Sequence, residues 1–229
     1  MNIDGTTKVG NLAAEHPLAT RVFARHGLDF CCGGGRPLED VCAGQGLDLD
    51  AVIGEIEAEV AHADEPEARW DEAPLADLID HILHTYHASL REELPRLESM
   101  AAKVLRAHGD KEPDMLPELG RVFGRLKAEL EAHMLKEERI LFPMIRAGRG
   151  AMASAPVSVM EHEHEVAAAA LRRLCELTGG YRVPEEACNT WRALWHGLAD
   201  LERTTHQHVH LENNILFPKT LELEKELNN

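Results

Sequence analysis

Apolar residues recur at three- and four-residue spacing through four long stretches of the chain, about Leu75 to His108, Pro117 to Phe142, Val157 to Thr178 and Pro184 to Phe217. That period draws one apolar stripe along each of four helices. The breaks between them are short and carry helix-ending residues: Gly109 with Pro113, the run from Gly148 to Pro156, and Gly179-Gly180. Four amphipathic helices joined this tightly bury their stripes most economically as an antiparallel four-helix bundle.

Ahead of the bundle the apolar runs are shorter. They predict helices from Val9 to Phe23, Leu38 to Val41 and Leu49 to Val60, with the glycine-rich break Cys31-Cys32-Gly33-Gly34-Gly35 after the first. The segment AHADEPEARWDEAP, Ala61 to Pro74, is polar and reads as a linker. The expected organisation is therefore all-α: a small helical cysteine-bearing domain over 1–62, a linker over 63–74, and the bundle over 75–229.

Composition narrows the class. Among 229 residues only 5 Phe, 3 Trp and 2 Tyr occur, and Ala, Leu and Glu dominate, which favours helix over sheet. The formal charge of −16 repels phosphate backbones and anionic lipid, so neither nucleic acid nor a membrane surface is an expected partner. The start, Met1-Asn2-Ile3-Asp4, has no signal-peptide character and no window approaches the ~20 apolar residues of a bilayer span, so a cytoplasmic location is expected. Five cysteines, an odd number with two adjacent, do not make a disulfide framework. Cys42, Cys175 and Cys188 read as small core residues. Cys31 and Cys32, in a loop with free backbone, could transfer metal or undergo oxidation.

The 14 histidines carry the chemistry. His133-Met134-Leu135-Lys136-Glu137 leads to Ile140-Leu141-Phe142-Pro143, and His208-Val209-His210-Leu211-Glu212 leads to Ile215-Leu216-Phe217-Pro218, with each matching residue displaced by 75 positions. The second and fourth helices thus repeat one design: a histidine, a glutamate one turn on, then an apolar end expected to stop at a proline. Residues four apart lie roughly 40° from each other around a helix, so each pair can reach one point in the bundle interior. His133 shares its stripe with Leu126, Leu130, Glu137, Ile140 and Leu141, and His208 with Leu194, Leu201, Glu212 and Ile215. Glu138, His206 and His210 fall on other faces.

The same rule selects one histidine from each remaining helix. His87 lies with Ile79, Leu83, Leu90 and Leu94, whereas His84 lies with Asp77, Asp80 and Arg91. His164 lies with Val157, Met160, Ala168 and Leu171, whereas His162 lies with Ser158 and Glu165. The rest, His16, His26, His62, His81, His84, His108, His162, His196, His206 and His210, read as surface or supporting residues. Two buried carboxylates without a cation would be costly, and four imidazoles with two carboxylates exceed the needs of one tetrahedral zinc. They suit two metal ions, each taking two imidazoles and sharing bridging carboxylates. Ligation by nitrogen and oxygen without thiolate points to iron, with manganese left open by ligand type alone.

The segments LDFCCGG, PLADLIDHI, HMLKEERILFPMI, SVMEHEH and HLENNILFP together resemble the repair-of-iron-centres family (the ScdA/YtfE type), iron-sulfur cluster repair proteins with a hemerythrin-like bundle behind a short cysteine-bearing domain. The resemblance spans nearly the whole chain. It implies a carboxylate-bridged non-haem di-iron centre on His87, His133, Glu137, His164, His208 and Glu212, and a functional cysteine pair at Cys31 and Cys32. It also implies a homodimer that restores iron-sulfur proteins damaged by nitrosative or oxidative stress, by donating labile iron. Nitric oxide is the implied ligand of an alternative role, as a molecule bound, scavenged or reduced at the ferrous pair; a sensor of oxygen or nitric oxide is the third reading. Oxygen-carrying hemerythrins use a further histidine one turn from the third-helix ligand, where this chain has Met160 and Ala168.

Overall fold

The computed structural model describes residues 3–61, 68–149 and 152–227, the side chains of 223–227 excepted. His62 and the first part of the expected linker, residues 63–67, lie outside the described residues. Among those described there is no strand; one isolated bridge joins Lys8 to Pro37. The expected all-α class holds.

Four short helices form the N-terminal module: α1 (Val9–Glu15), α2 (Ala19–His26), α3 (Leu38–Gln45) and α4 (Leu49–Ala61). The single helix expected from Val9 to Phe23 is two, because Pro17 has no N–H to continue α1 and biases His16 out of helical geometry. Gly27 (φ 65) and Gly46 (φ 68) close α2 and α3 in the left-handed conformation that a Cβ disfavours. Val9, Leu12, Val22, Phe23, Leu38, Val41, Val52 and Ile56 make the module's own core. Arg21 and Arg25 tie α2 to Glu55 and Glu59 of α4 across its surface.

Four helical columns form the bundle. The first is α5 (Leu75–His81), a π-helical segment (Ile82–His87) and α6 (Ala88–His108); the second is α7 (Met115–Lys136), a π-helical segment (Glu137–Leu141) and α8 (Phe142–Arg146). The third is α9 (Ser154–Leu177), and the fourth is α10 (Asn189–Leu211), a π-helical segment (Glu212–Leu216) and α11 (Phe217–Leu227). The second column packs between the first and third, and the fourth closes the ring.

Neither Pro143 nor Pro218 ends its column as expected. Each enters the first turn of a new α-segment just after a π-helical turn, where the shifted bonding accommodates a residue without an N–H. The wider turn also changes the phase of the stripe. Ile140, expected inward, is 53% exposed, while Leu141 and Ile145 are buried.

The interior has two apolar layers. One holds Leu94, Leu97, Phe123, Leu126, Leu171, Trp191 and Trp195; the other holds Ile79, Ile82, Leu141, Phe142, Met160, Ile215 and Phe217. Between them lies a polar belt.

Candidate metal centre

The belt consists of His87, His133, Glu137, His164, His208 and Glu212, all buried, with both carboxylates at 0% exposure. These are the six residues singled out in the sequence, and the structure brings all of them together. His87 ends the first π-helical segment, and Glu137 and Glu212 begin the other two. Three of the four columns thus place a π-helical turn at the level where a side chain must be re-aimed.

The six fall into two overlapping quartets, each with its ligand atoms within 4.8 Å of one another: His87, Glu137, His208 and Glu212, and His133, Glu137, His164 and Glu212. Both carboxylates belong to both quartets. Glu137 Oε2 stands 3.3 Å from His87 Nε2 and 3.3 Å from His133 Nε2. Glu212 Oε2 stands 3.1 Å from His164 Nε2, and its Oε1 is 2.9 Å from His208 Nε2. The Nε2 atoms of His133 and His164 are 3.1 Å apart.

The ring nitrogens turned away from the belt are held in place. His87 Nδ1 donates to Glu138 Oε1 at 2.7 Å, and Arg91 in turn holds Glu138. His133 Nδ1 donates to Glu163 Oε2 at 3.0 Å, and Lys136 holds Glu163. His164 Nδ1 donates to Asn213 Oδ1 at 2.8 Å. Such bonds at Nδ1 leave Nε2 as the nitrogen facing the belt, the one that can give its lone pair to a metal once it carries no proton. His208 instead lies parallel to Tyr86, ring centroids 5.3 Å apart.

The electrostatics of the belt call for positive charge. Burial works to lower the pKa of His133, but the charges of Glu137 and Glu212 and the contact with Glu163 outweigh it and raise the pKa to about 9. His87 and His164 also rise despite burial, mainly through Glu137 and Glu212 respectively. Burial works to raise Glu212, yet facing His208 and His164 hold it well below the carboxylate range. Even so, Glu137 Oε1 and Oε2, Glu212 Oε2 and His87 Nε2 are buried without a hydrogen-bond partner. Orphaned acceptors of this kind, with nitrogen and oxygen donors converging and no thiolate, fit hard or borderline divalent cations shared by two carboxylates. A cavity of about 260 Å³, lined by His133, His164, His208, Glu163, Lys136 and Thr205, opens beside the second quartet.

Comparison with known proteins settles the lineage. The Hemerythrin HHE cation binding domain matches residues 78–220, and ScdA_N, a domain of unknown function (DUF542), matches residues 5–60. The iron-sulfur cluster repair protein YtfE of Cronobacter sakazakii is 45% identical over 218 residues, 95% of this chain and 97% of its own. The proteins of the same name from Pectobacterium atrosepticum and Escherichia coli O81 are 46% and 44% identical, each over 93% of this chain and 96% of their own. The chain belongs to the YtfE-type iron-sulfur cluster repair family.

Cys31 and Cys32 of this family member stand outside the belt but next to it. Their sulfurs are 4.0 Å apart, and Asp29 Oδ1 accepts from both backbone N–H groups and from the Cys31 thiol. Phe30 packs edge-on against His206 and His210 of α10. His210 was expected at the surface or supporting the site; it is 4% exposed in the seam between module and bundle, where burial drives its pKa down to about 4. Asn214 fills the same seam: its Nδ2 donates to the Phe30 and Cys31 carbonyls at 3.0 and 3.3 Å and contacts His210 Nδ1 at 3.0 Å.

Other expectations are corrected. Cys42 is buried, but Cys175 is half-buried and Cys188 is exposed at the N-cap position just before α10, its sulfur 3.3 Å from His108 Nε2. Glu138 reaches His87 although the helical wheel had put it on another face, because the π-helical turn rotates it inward. Glu138, Glu163 and Asn213 were missed. One signal for two of them was present: Glu138 and Asn213 each follow the glutamate of the repeated motif, 75 positions apart.

Proposed function

We propose that the chain holds two iron ions in the polar belt and serves, in the cytoplasm, to repair iron-sulfur clusters damaged by nitrosative or oxidative stress, as the names of its relatives state of them. The observation that carries this reading is the sharing of two fully buried carboxylates between two pairs of imidazoles. Glu137 and Glu212 would bridge; His87 with His208 would hold one ion, and His133 with His164 the other. Bound there, the pair supplies an exchangeable ferrous centre with open coordination positions.

The protein's own groups prepare that exchange. Glu138, Glu163 and Asn213 hold three imidazoles at Nδ1 with Nε2 inward. Facing Glu137 and Glu212 favours the protonated forms of His87, His133 and His164, so an entering cation competes with protons for these rings and iron release is coupled to proton uptake. The apolar layers above and below exclude bulk water, and the cysteine loop lies beside His164 through Asn213. Donation of iron to a damaged cluster is the preferred mechanism, and damaged iron-sulfur proteins the partners; the relevant assembly is a homodimer.

The test is reactivation of an iron-sulfur enzyme inactivated by nitric oxide. Reduced iron-loaded protein should restore it and iron-free protein should not; equal rescue by both would remove iron donation. Mössbauer spectra with iron quantitation should give two ions per chain, and Glu137→Ala should break the spectroscopic pairing. The cavity of about 260 Å³ favours a second reading, binding or reduction of nitric oxide, which headspace analysis for nitrous oxide during anaerobic turnover decides.

A further inference from the structure

The 75-residue repeat extends beyond the motif to what surrounds it, and there it breaks. Glu138 accepts from His87 Nδ1 while Phe142, four residues on, stacks over the same imidazole at 5.8 Å. Asn213 accepts from His164 Nδ1 while Phe217, again four residues on, stacks over that imidazole at 6.0 Å. The two halves of the belt are built alike except that a carboxylate in one is an amide in the other. Glu138 is held by Arg91, a residue of the bundle. Asn213 has a donor that Glu138 lacks, and it points to the other module: Nδ2 is 3.5 Å from the carbonyl oxygen of Cys31.

That carbonyl is a fixed point of the N-terminal module. Asn214 donates to it and to the Phe30 carbonyl, and Gly10 and Gly34 pack so closely that a Cβ on either would come within 2.2 and 2.5 Å of Asn214 Oδ1. The side chains of two consecutive residues of one π-helical turn therefore hold the cysteine loop on one side and His164 on the other. Among the described residues His87 and His133 have no such tie; their carboxylate partners are clamped by Arg91 and Lys136 from within the bundle.

We propose that Asn213 is a positioning residue that couples the seat of the Cys31–Cys32 loop to His164, so that the iron held by His133 and His164 is the one the N-terminal module can release. Displacing the loop, by docking of a client, withdraws the acceptor that orients the Asn213 amide, and His164 loses its alignment while His87 and His208 keep theirs. This rests on the two-iron reading above and names its regulation. Partners at Nδ1 are conventionally worth 10- to 100-fold in metal affinity, so losing one speeds the departure of the ion it steadies.

The experiment is stopped-flow transfer of iron from anaerobic diferrous full-length protein to excess ferrous chelator. Wild type should release iron in two phases. Asn213→Ala should accelerate one phase by about 10-fold or more, and Glu138→Gln should accelerate the other. Asn214→Ala, which loosens the loop without touching a ligand or its Nδ1 partner, should accelerate the same phase as Asn213→Ala; the double variant should be no faster than Asn213→Ala alone, the signature of one shared pathway. Gly34→Ala provides an independent displacement of the loop and should act on that phase too. Acceleration of both phases equally by Asn213→Ala, or additive effects of Asn213→Ala and Asn214→Ala, would overturn the coupling while leaving the two-iron centre standing. A wild-type protein that cannot be loaded with two ions would overturn both.

Discussion

Replacing Glu137 by glutamine tests whether the belt is built for cations or for folding. The substitution keeps size and shape and removes one buried charge whose two oxygens have no hydrogen-bond partner. In the iron-free protein two effects oppose each other. Relief of desolvation favours the variant, since exchanging buried ionic groups for neutral ones of similar volume is neutral to stabilising by about 1–4 kcal/mol. Loss of the attraction to His87 and His133 disfavours it. That attraction is the largest of those that raise His133 to about 9, so its contribution is fully present below the unfolded-state value of 6.5 and is lost as pH rises through 9. At pH 9 the first effect should win, and iron-free Glu137→Gln should melt above iron-free wild type by roughly 2–16 °C, at about 2–4 °C per kcal/mol for a chain of this size. Iron should reverse the order at pH 7. A ligand present at a hundred times its dissociation constant adds about 2.7 kcal/mol to the protein that binds it, roughly 5–10 °C for wild type and much less for the variant, which lacks one of the two carboxylates that the quartets share. Differential scanning calorimetry, anaerobic, with ferrous iron or with chelator, reads both comparisons. A variant that is less stable without iron at pH 9, or that gains as much from iron as wild type does, would refute the account of Glu137 as a metal bridge.

Three more outcomes are expected. His164→Ala and His87→Ala, each removing an imidazole from a different quartet, should each hold about one iron per chain where two are expected of wild type, by colorimetric iron assay. Gly10→Ala should unseat the N-terminal module, because its Cβ would meet Asn214 Oδ1 at 2.2 Å; a cost of about 1–3 kcal/mol is typical of such overpacking, and limited proteolysis should cut the module faster. In native protein Cys188, exposed on α10, should alkylate well before buried Cys31 and Cys42, as peptide mapping after a short iodoacetamide pulse would show.

How much of this was legible in the residues depends on period. The all-α class, the four columns and the six belt residues followed from three- and four-residue spacing and from a motif repeated 75 positions apart, because a buried polar residue within an apolar stripe is conspicuous. What lay one residue away was not. The π-helical turns at Ile82–His87, Glu137–Leu141 and Glu212–Leu216 have no propensity signature, and each shifts the wheel by about one residue. That shift is why Ile140 was placed inside when it is exposed, and why Glu138 was placed away from His87 when it touches it. Asn213, Asn214 and His210 were silent for a different reason: their partners Phe30, Cys31 and His164 are far away in sequence, and no local pattern marks a seam between two modules. Cys188 was misplaced because small thiol residues are usually interior, a tendency that a helix-capping position overrides.

Most helical proteins breathe from their tips inward, since the termini are where backbone bonds are fewest. Here the waist carries ionised groups between two greasy plugs, and once its metal is withdrawn the middle becomes the weakest storey of the building. Amide exchange in the metal-stripped chain should therefore run fastest around the three widened turns, with Leu94 and Trp195 on one side and Ile79 and Phe217 on the other still protected, an inversion of ordinary fraying that turns cellular iron supply into a determinant of the protein's own lifetime.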